Sequence, residues 1–424
     1  MSKKTRYLLL LLGFIFFILF TPVMVLYVTG LKYDLKTGQF TSTGILAIRS
    51  TPAVVDVILN GKKVRSSDGD IKFLLPGEYN LTLEKPGYQP WSKRFFVQEN
   101  QVTWANPVPD NLFLFKQNTP PVAIASSTID FALSGNTLLY LTPAGLTVTT
   151  TNNFSRSQTF PLKIPADNIL ASPDGQTFAL GNSQIFNAAG QKISDIGNIV
   201  TASSSLEFSD DNNLFALENN TIYQLNVGAD KKTALAKNAS AFSVMLGNIY
   251  YLQQTATGSA LYIQPLSGGQ PQLLLNNLPT FSTGQIFVNF QKQVMLLLDG
   301  SLYQASSIPV LVANNITGSS FDQNSSNLMV LRGGELDFYN YSTQSLDFIT
   351  RTSLPLSNLI LRPDLDYAFF FKDGSLEALE LDLRDQQNEY SFYQAQQPEK
   401  FILDAGGKNL YILDGEKLLE QTIR

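Results

Sequence analysis

The stretch NILASPDGQTFALGN, residues 168–182, contains two short apolar runs and two turns. In Ser172-Pro173-Asp174-Gly175 the proline sets one corner and the glycine accepts positive φ, so the chain reverses there. Gly181-Asn182 reverses it again. The run between them, Phe178-Ala179-Leu180, is too short for a helix and fits a strand. The same pair of turns recurs, with the second eight or nine residues after the first. Asp210-Asp211-Asn212-Asn213 precedes Asn219-Asn220, Arg362-Pro363-Asp364-Leu365 precedes Asp373-Gly374, and Asp404-Ala405-Gly406-Gly407 precedes Asp414-Gly415. Similar units begin near Ile129, Asn168, Leu206, Phe242, Ile286, Ser320, Leu359 and Phe401, on average about 39 residues apart. A period of this length marks a repeat architecture. Two close turns per period predict four-stranded antiparallel blades, hence a β-propeller over 111–424. Eight blades are the count, and seven if 242–285 divides differently. The last unit has room for three strands, so Asn111–Phe115 is expected to supply the fourth and close the ring. Without closure a strand edge and an apolar face would be left open.

At the other end of the chain, residues 7–28 read YLLLLLGFIFFILFTPVMVLYV with no charge. As a helix this run spans about 30 Å, the thickness of a bilayer core. Lys3, Lys4 and Arg6 precede it, which predicts a cytoplasmic tail over 1–6, one membrane pass over 7–28 and an extracytoplasmic remainder. A cleaved signal peptide is the competing reading. The run exceeds the usual apolar region of such a peptide, and its exit, Val25 to Gly30, lacks a small-x-small site, so retention as an anchor is expected. Residues 29–44 read as a polar linker.

Residues 45–109 predict a compact all-β unit. Ile45–Arg49 is a strand; Val55, Val57 and Leu59 alternate with polar residues up to Asn60-Gly61, a strong hairpin signal. Tyr79, Leu81 and Leu83 alternate likewise, and Trp91–Val97 and Gln101–Trp104 complete a small sandwich. Ser50-Thr51-Pro52, Asn60-Gly61, Pro76-Gly77-Glu78-Tyr79 and Gly87-Tyr88 together resemble the PEGA domain. That resemblance implies a prealbumin-like or immunoglobulin-like sandwich on a prokaryotic surface protein, acting as a spacer or a contact module without catalytic residues. The Ser-Pro-Asp-Gly turn and its copies resemble the WD40-like and TolB-like propeller repeats, although no Trp-Asp dipeptide is present.

Composition narrows the function further. The chain has no Cys and no His. Disulfides, thiolate zinc sites, Ser-His-Asp and Cys-His catalysis, and most copper and haem ligation are thereby excluded. Paired carboxylates, Tyr or Lys chemistry and oxygen-ligated cations remain. A net charge of −5 lacks the basic face that nucleic acid requires. Charged residues make up only 15% of the chain, which favours hydrogen-bonded and aromatic contacts over electrostatic capture.

The candidate ligand-binding residues are Asp299, Asp373 and Asp414, each before Gly at the second turn of its unit, and the two tryptophans, Trp91 and Trp104. The three carboxylates on one face could hold a cation or serve acid/base chemistry, although Asp-Gly is also ordinary hairpin chemistry. The tryptophans could stack on a sugar or seal the sandwich core. Asp68-Gly69-Asp70 lacks the ligand ladder of a calcium loop and reads as a turn. Residues 384–389 read as a solvated loop, with a partner-binding edge as the alternative. The expectation is a single-pass, non-catalytic cell-surface protein without cofactor or metal, whose propeller binds an envelope protein or glycan. A polysaccharide-acting enzyme with paired carboxylates is one alternative, and an envelope assembly or sensory factor is the other.

Overall fold

An apolar run can satisfy its backbone in lipid only from within, and Lys3–Thr29 forms one α-helix in the computed structural model. The structure describes residues 3–35, 37–106, 112–117, 119–151, 153–162, 166–322, 327–341 and 343–424. None of the span Thr5–Leu26 is buried by the rest of the protein. Thr29 ends the helix, its Oγ1 donating to the carbonyl of Val25 at 2.7 Å, and Gly30 turns the chain at φ 68°. The expected plain linker over 29–44 is instead a hairpin, with Leu31–Asp34 antiparallel to Gln39–Ser42. Leu31, Tyr33 and Leu35 alternate with Lys32 and Asp34, which is strand periodicity.

The protein divides into two compact units. One comprises 1–117, 364–366 and 379–390; the other comprises 118–363, 367–378 and 391–424.

In the first unit a four-stranded sheet runs in the order Lys62–Arg65, Asp56–Leu59, Gly77–Glu84, Trp91–Val97. A three-stranded sheet runs Val102–Trp104, Gly44–Ile48, Gly69–Leu74, with its first pair parallel. Asn60 and Gly61 both take positive φ, 50° and 75°, as a tight hairpin requires. The core gathers Leu46, Ile48, Val57, Leu81, Leu83, Trp91 and Phe95. The expected propeller strand at Asn111–Phe115 lies here instead. Leu112–Phe113 runs parallel to Ser50–Thr51, and Leu112 and Leu114 are buried in the sandwich core; Asn111 falls outside the described residues. Four consecutive apolar side chains find a buried site here, which the exposed edge of a blade would not give them.

The second unit is a propeller. Its described residues form eight four-stranded sheets, each in chain order except the eighth. Their first strands are Asp130–Ser134, Ile169–Ala171, Ser205–Phe208, Ala239–Met245, Gly284–Val288, Gly318–Asp322, Leu356–Arg362 and Pro398–Leu403. Each repeat start expected from sequence lies in one of these strands or one residue before it. The irregular stretch from 242 onward belongs to the fourth sheet, whose strands run to seven or eight residues. The fourth strand of the eighth sheet is Val122–Ala125, antiparallel to Lys417–Thr422, so the ring closes between its two ends. Second strands are covered on both faces, which is why Tyr367–Phe371 reads as five consecutive buried apolar residues. Phe131, Leu138 and Tyr140 of the first sheet pack on Tyr411, Leu413 and Leu418 of the eighth.

Side chains on the first strands tie neighbouring sheets together. Asp130 accepts the amide of Ile169 at 2.8 Å. Glu207 accepts the Val244 amide at 3.0 Å and the Ser243 hydroxyl at 2.9 Å. Ser320 accepts the Leu361 amide at 3.0 Å, and Asn358 donates to the Glu399 carbonyl at 2.8 Å. Lys400 closes the circuit, donating to Asp130 at 2.7 Å and to the Phe131 carbonyl at 2.8 Å.

The Glu207 tie makes stability depend on pH. Burial outweighs the two donors and pushes its carboxyl up to about 7. The folded protein therefore keeps a proton that the unfolded chain has already lost, and stability should fall as pH rises from about 4.5 to about 7, then level off. Glu207→Gln keeps an acceptor for both donors and removes the titration. Thermal unfolding should find this variant more stable than the parent at about pH 8 and not at about pH 5. Equal melting temperatures at the higher pH would refute this account.

Candidate functional site

The three Asp-Gly pairs occupy hairpin turns between second and third strands, and the turns explain them. Asp299 and Asp373 take positive φ, 45° and 49°, which Asp tolerates and the following glycines extend. The Asp299 carboxylate accepts the amides of Thr283 at 2.8 Å and Ser282 at 2.9 Å, and these hold it below the usual carboxylate range. At Asp414 burial opposes ionisation, but the Gln397 amide, the Tyr393 hydroxyl and the Gln396 amide outweigh it. Asp373 is exposed; only its backbone takes part in the turn. Each belongs to a different sheet, and the carboxylates of Asp299 and Asp414 are spent on amides of the segment that leads into the first strand of their own sheet. Among the described residues no group of three acidic side chains is placed to hold a metal ion.

The tryptophans do not form a platform. Trp91 is 1% exposed, stacks on Phe95 and donates from Nε1 to Glu380 at 3.1 Å. Trp104 is half-buried beneath the Arg49 guanidinium, 5.7 Å from its ring centre. Asp68 and Asp70 are also committed, to the Ser50 amide and to Arg49.

Within the first unit, residues 384–389 are not simply the solvated loop expected from their polarity, since Arg384, Asp385 and Asn388 bind the sandwich. Strand Trp91–Val97 ends its sheet, so alternate backbone groups lack a ladder partner. Asn388 supplies both bonds for Ser92, accepting from its amide at 3.4 Å and donating to its carbonyl at 3.2 Å. Asp385 accepts the Arg94 amide at 2.8 Å. Beneath this cover lies a charge cluster. Lys93, fully buried, meets Glu380 at 3.1 Å and Asp382 at 3.0 Å. Arg384 holds Asp382 and donates to the carbonyls of Trp104 at 2.7 Å and Ala105 at 2.9 Å. At Asp366 burial, reinforced by the negative charges of Glu380 and Asp382, raises the carboxyl to about 7. Sequence missed the cluster because its members are nearly 290 residues apart; a lysine at an inward position of the alternation Trp91, Lys93, Phe95, Val97 was the available signal. A polar cleft of about 680 Å³ adjoins it, lined by Asn80, Arg94 and Gln386 among others.

In the propeller a second cleft, about 510 Å³, lies at the ends of the second and third sheets. Asn213, Gln224 and Asn226 line it with amides, and Phe208, Ile193 and Val227 give it apolar walls. It opens beside the first turn, Asp210 to Asn213, at the opposite end of the sheets from the Asp-Gly turns. Sequence marked that turn as a chain reversal, and nothing in it distinguished a wall of a cleft.

Residues 43–109 match the PEGA domain. No curated protein matches the chain by sequence. Among solved structures it is similar to the Dos1 propeller, with a TM-score of 0.55 and 10% identity over 72% of this chain and 94% of that one. It is also similar to a eukaryotic initiation factor, with a TM-score of 0.51 and 13% identity over 70% of this chain and 86% of that one. At such identities the likeness is one of fold. The chain thus carries a PEGA domain, a β-propeller and an N-terminal apolar helix.

Proposed function

We propose that this is a non-catalytic, membrane-anchored binding protein, with its N-terminus cytoplasmic and its propeller presented outside the cytoplasm to an uncharged envelope partner, glycan or protein. The observation that carries this reading is the helix Lys3–Thr29, whose large apolar side chains from Tyr7 to Val25 are exposed among the described residues. Exposed apolar surface on that scale needs lipid. Lys3, Lys4 and Arg6 before it and the PEGA domain after it both favour an exported body.

Neutral recognition is supported by the cleft at Asn213, Gln224 and Asn226, where amides can pair with hydroxyls and the Phe208 wall can cover a sugar face. Binding without turnover is supported by how many acids are individually committed: Asp130 to Lys400, Glu218 to Lys232, Asp337 to Arg332, Glu377 to Lys372. The test uses the full chain in lipid nanodiscs, applied to a glycan array and to envelope extract. Retention of one glycan or protein class, abolished by Asn226→Ala with Gln224→Ala, is the expected result. Cleavage of a retained glycan would replace this reading with an enzymatic one, and binding only to nucleic acid would overturn it.

A further inference from the structure

The hairpin that follows the membrane helix has two unlike faces. Register pairs Tyr33 with Phe40 and Leu31 with Ser42, so Tyr33 and Phe40 fall on one side, with Lys32, Asp34, Gln39 and Thr41 on the other, and Leu35 stands in the turn that follows. The apolar side is open: Tyr33 is 50% exposed, Phe40 57% and Leu35, at the tip, 89%. The two rings meet edge to face at 5.3 Å, forming one aromatic block. Among the described residues the two strands pair only with each other, and an isolated two-stranded hairpin is marginal in water.

Position supplies the missing support. The hairpin starts two residues after the helix ends, and its base is fastened there. Both the amide and the hydroxyl of Thr43 donate to the Gly30 carbonyl, at 3.0 Å and 2.7 Å. A segment so tied to the end of a bilayer-spanning helix sits at the depth of the lipid headgroups. Tyrosine suits that depth, since its ring is apolar and its hydroxyl is wet.

We propose that the paired strands Leu31–Asp34 and Gln39–Ser42 form an interfacial anchor, their Tyr33-Phe40 face and the turn residue Leu35 seated in the boundary between headgroups and acyl chains and the Lys32 face turned to water. The inference rests on the reading of the helix as a membrane span. Two contacts at the surface, in place of one flexible exit, would fix the direction in which the following domains leave the membrane.

The absence of cysteine allows a single reporter to be placed at will. Full-length Leu35→Cys and Phe17→Cys, each carrying a polarity-sensitive fluorophore, are reconstituted in phosphatidylcholine–phosphatidylglycerol vesicles with spin-labelled lipids. The expected result is loss of most of the fluorescence at position 35 with a shallow spin label and at position 17 with a deep one, and restoration of the position-35 signal when Tyr33→Asp and Phe40→Asp are added. Quenching at 17 without quenching at 35 would overturn the interfacial anchor and leave the span standing. No quenching at either position would overturn both.

Discussion

Lys93→Ala should destabilise the sandwich unit by about 3–5 kcal/mol, the cost of removing one partner from a buried ion pair. The side chain is fully buried between Glu380 and Asp382, and its Nζ also donates to the Asp382 carbonyl at 2.8 Å. Alanine leaves two carboxylates in a site built for four charges, with Arg384 to answer them. The cost should depend on pH in a defined direction. Burial opposes ionisation of Asp382, but Arg384 and Lys93 prevail and hold its carboxyl below the ordinary value of 3.8. The stability this contributes is present above that value and is lost as pH falls through the lowered one. The gap between variant and parent should therefore be full at neutral pH and should narrow below about pH 4.

A second variant separates charge from packing. Lys93→Met with Glu380→Gln and Asp382→Asn keeps the volumes and an acceptor for Trp91 while removing the charges, and it should recover much of the loss. Urea unfolding of the full chain, followed by the emission of buried Trp91, reads both. A Lys93→Ala protein with an unchanged midpoint would refute the assignment.

Deleting residues 119–125 should cost the propeller on the order of 5 kcal/mol or more, beyond the range of ordinary point changes. The deletion removes Val122–Ala125 from its place beside Lys417–Thr422, and with it the bond from Gln421 to the Thr119 carbonyl. It uncovers the packing of Phe131 against Tyr411 and Leu418 and leaves an unpaired edge on Lys417–Thr422. A lowered melting temperature and concentration-dependent association are the expected results in calorimetry and light scattering. A peptide of residues 119–128 added in trans should reverse both, because it restores the missing strand. A monomeric deletion protein that melts with the parent would show that the ring is held elsewhere.

The wheel was legible because its repeats are local. Ser172-Pro173-Asp174-Gly175 and Gly181-Asn182 declare two turns within fifteen residues, and the pattern survives weak copies because it recurs. The closing strand was not legible in the same way. Leu112-Phe113-Leu114-Phe115 and Val122-Ala123-Ile124-Ala125 are both short apolar runs, and only tertiary packing separates them. The more apolar run fills the sandwich, and the alanine-rich one takes the half-exposed edge beside Leu418 and Leu419. The site residues fared differently again. Asp299 and Asp414 were visible as turn residues, but whether a turn carboxylate faces a ligand or its own amides is not written in an Asp-Gly pair. The Lys93 cluster depends on contacts across hundreds of residues, and the inward lysine of the strand marks one member without pointing to its partners.

Sharing one sheet between Val122–Ala125 and the strands after Pro398 has a consequence for biosynthesis. The strand Val122–Ala125 waits for its neighbour until Lys417–Thr422 has been made, so the emerging chain passes through a long interval without its lock. A chain stopped ahead of Lys417 should forfeit ring closure rather than one sheet alone, which makes Lys417–Thr422 the checkpoint of its maturation.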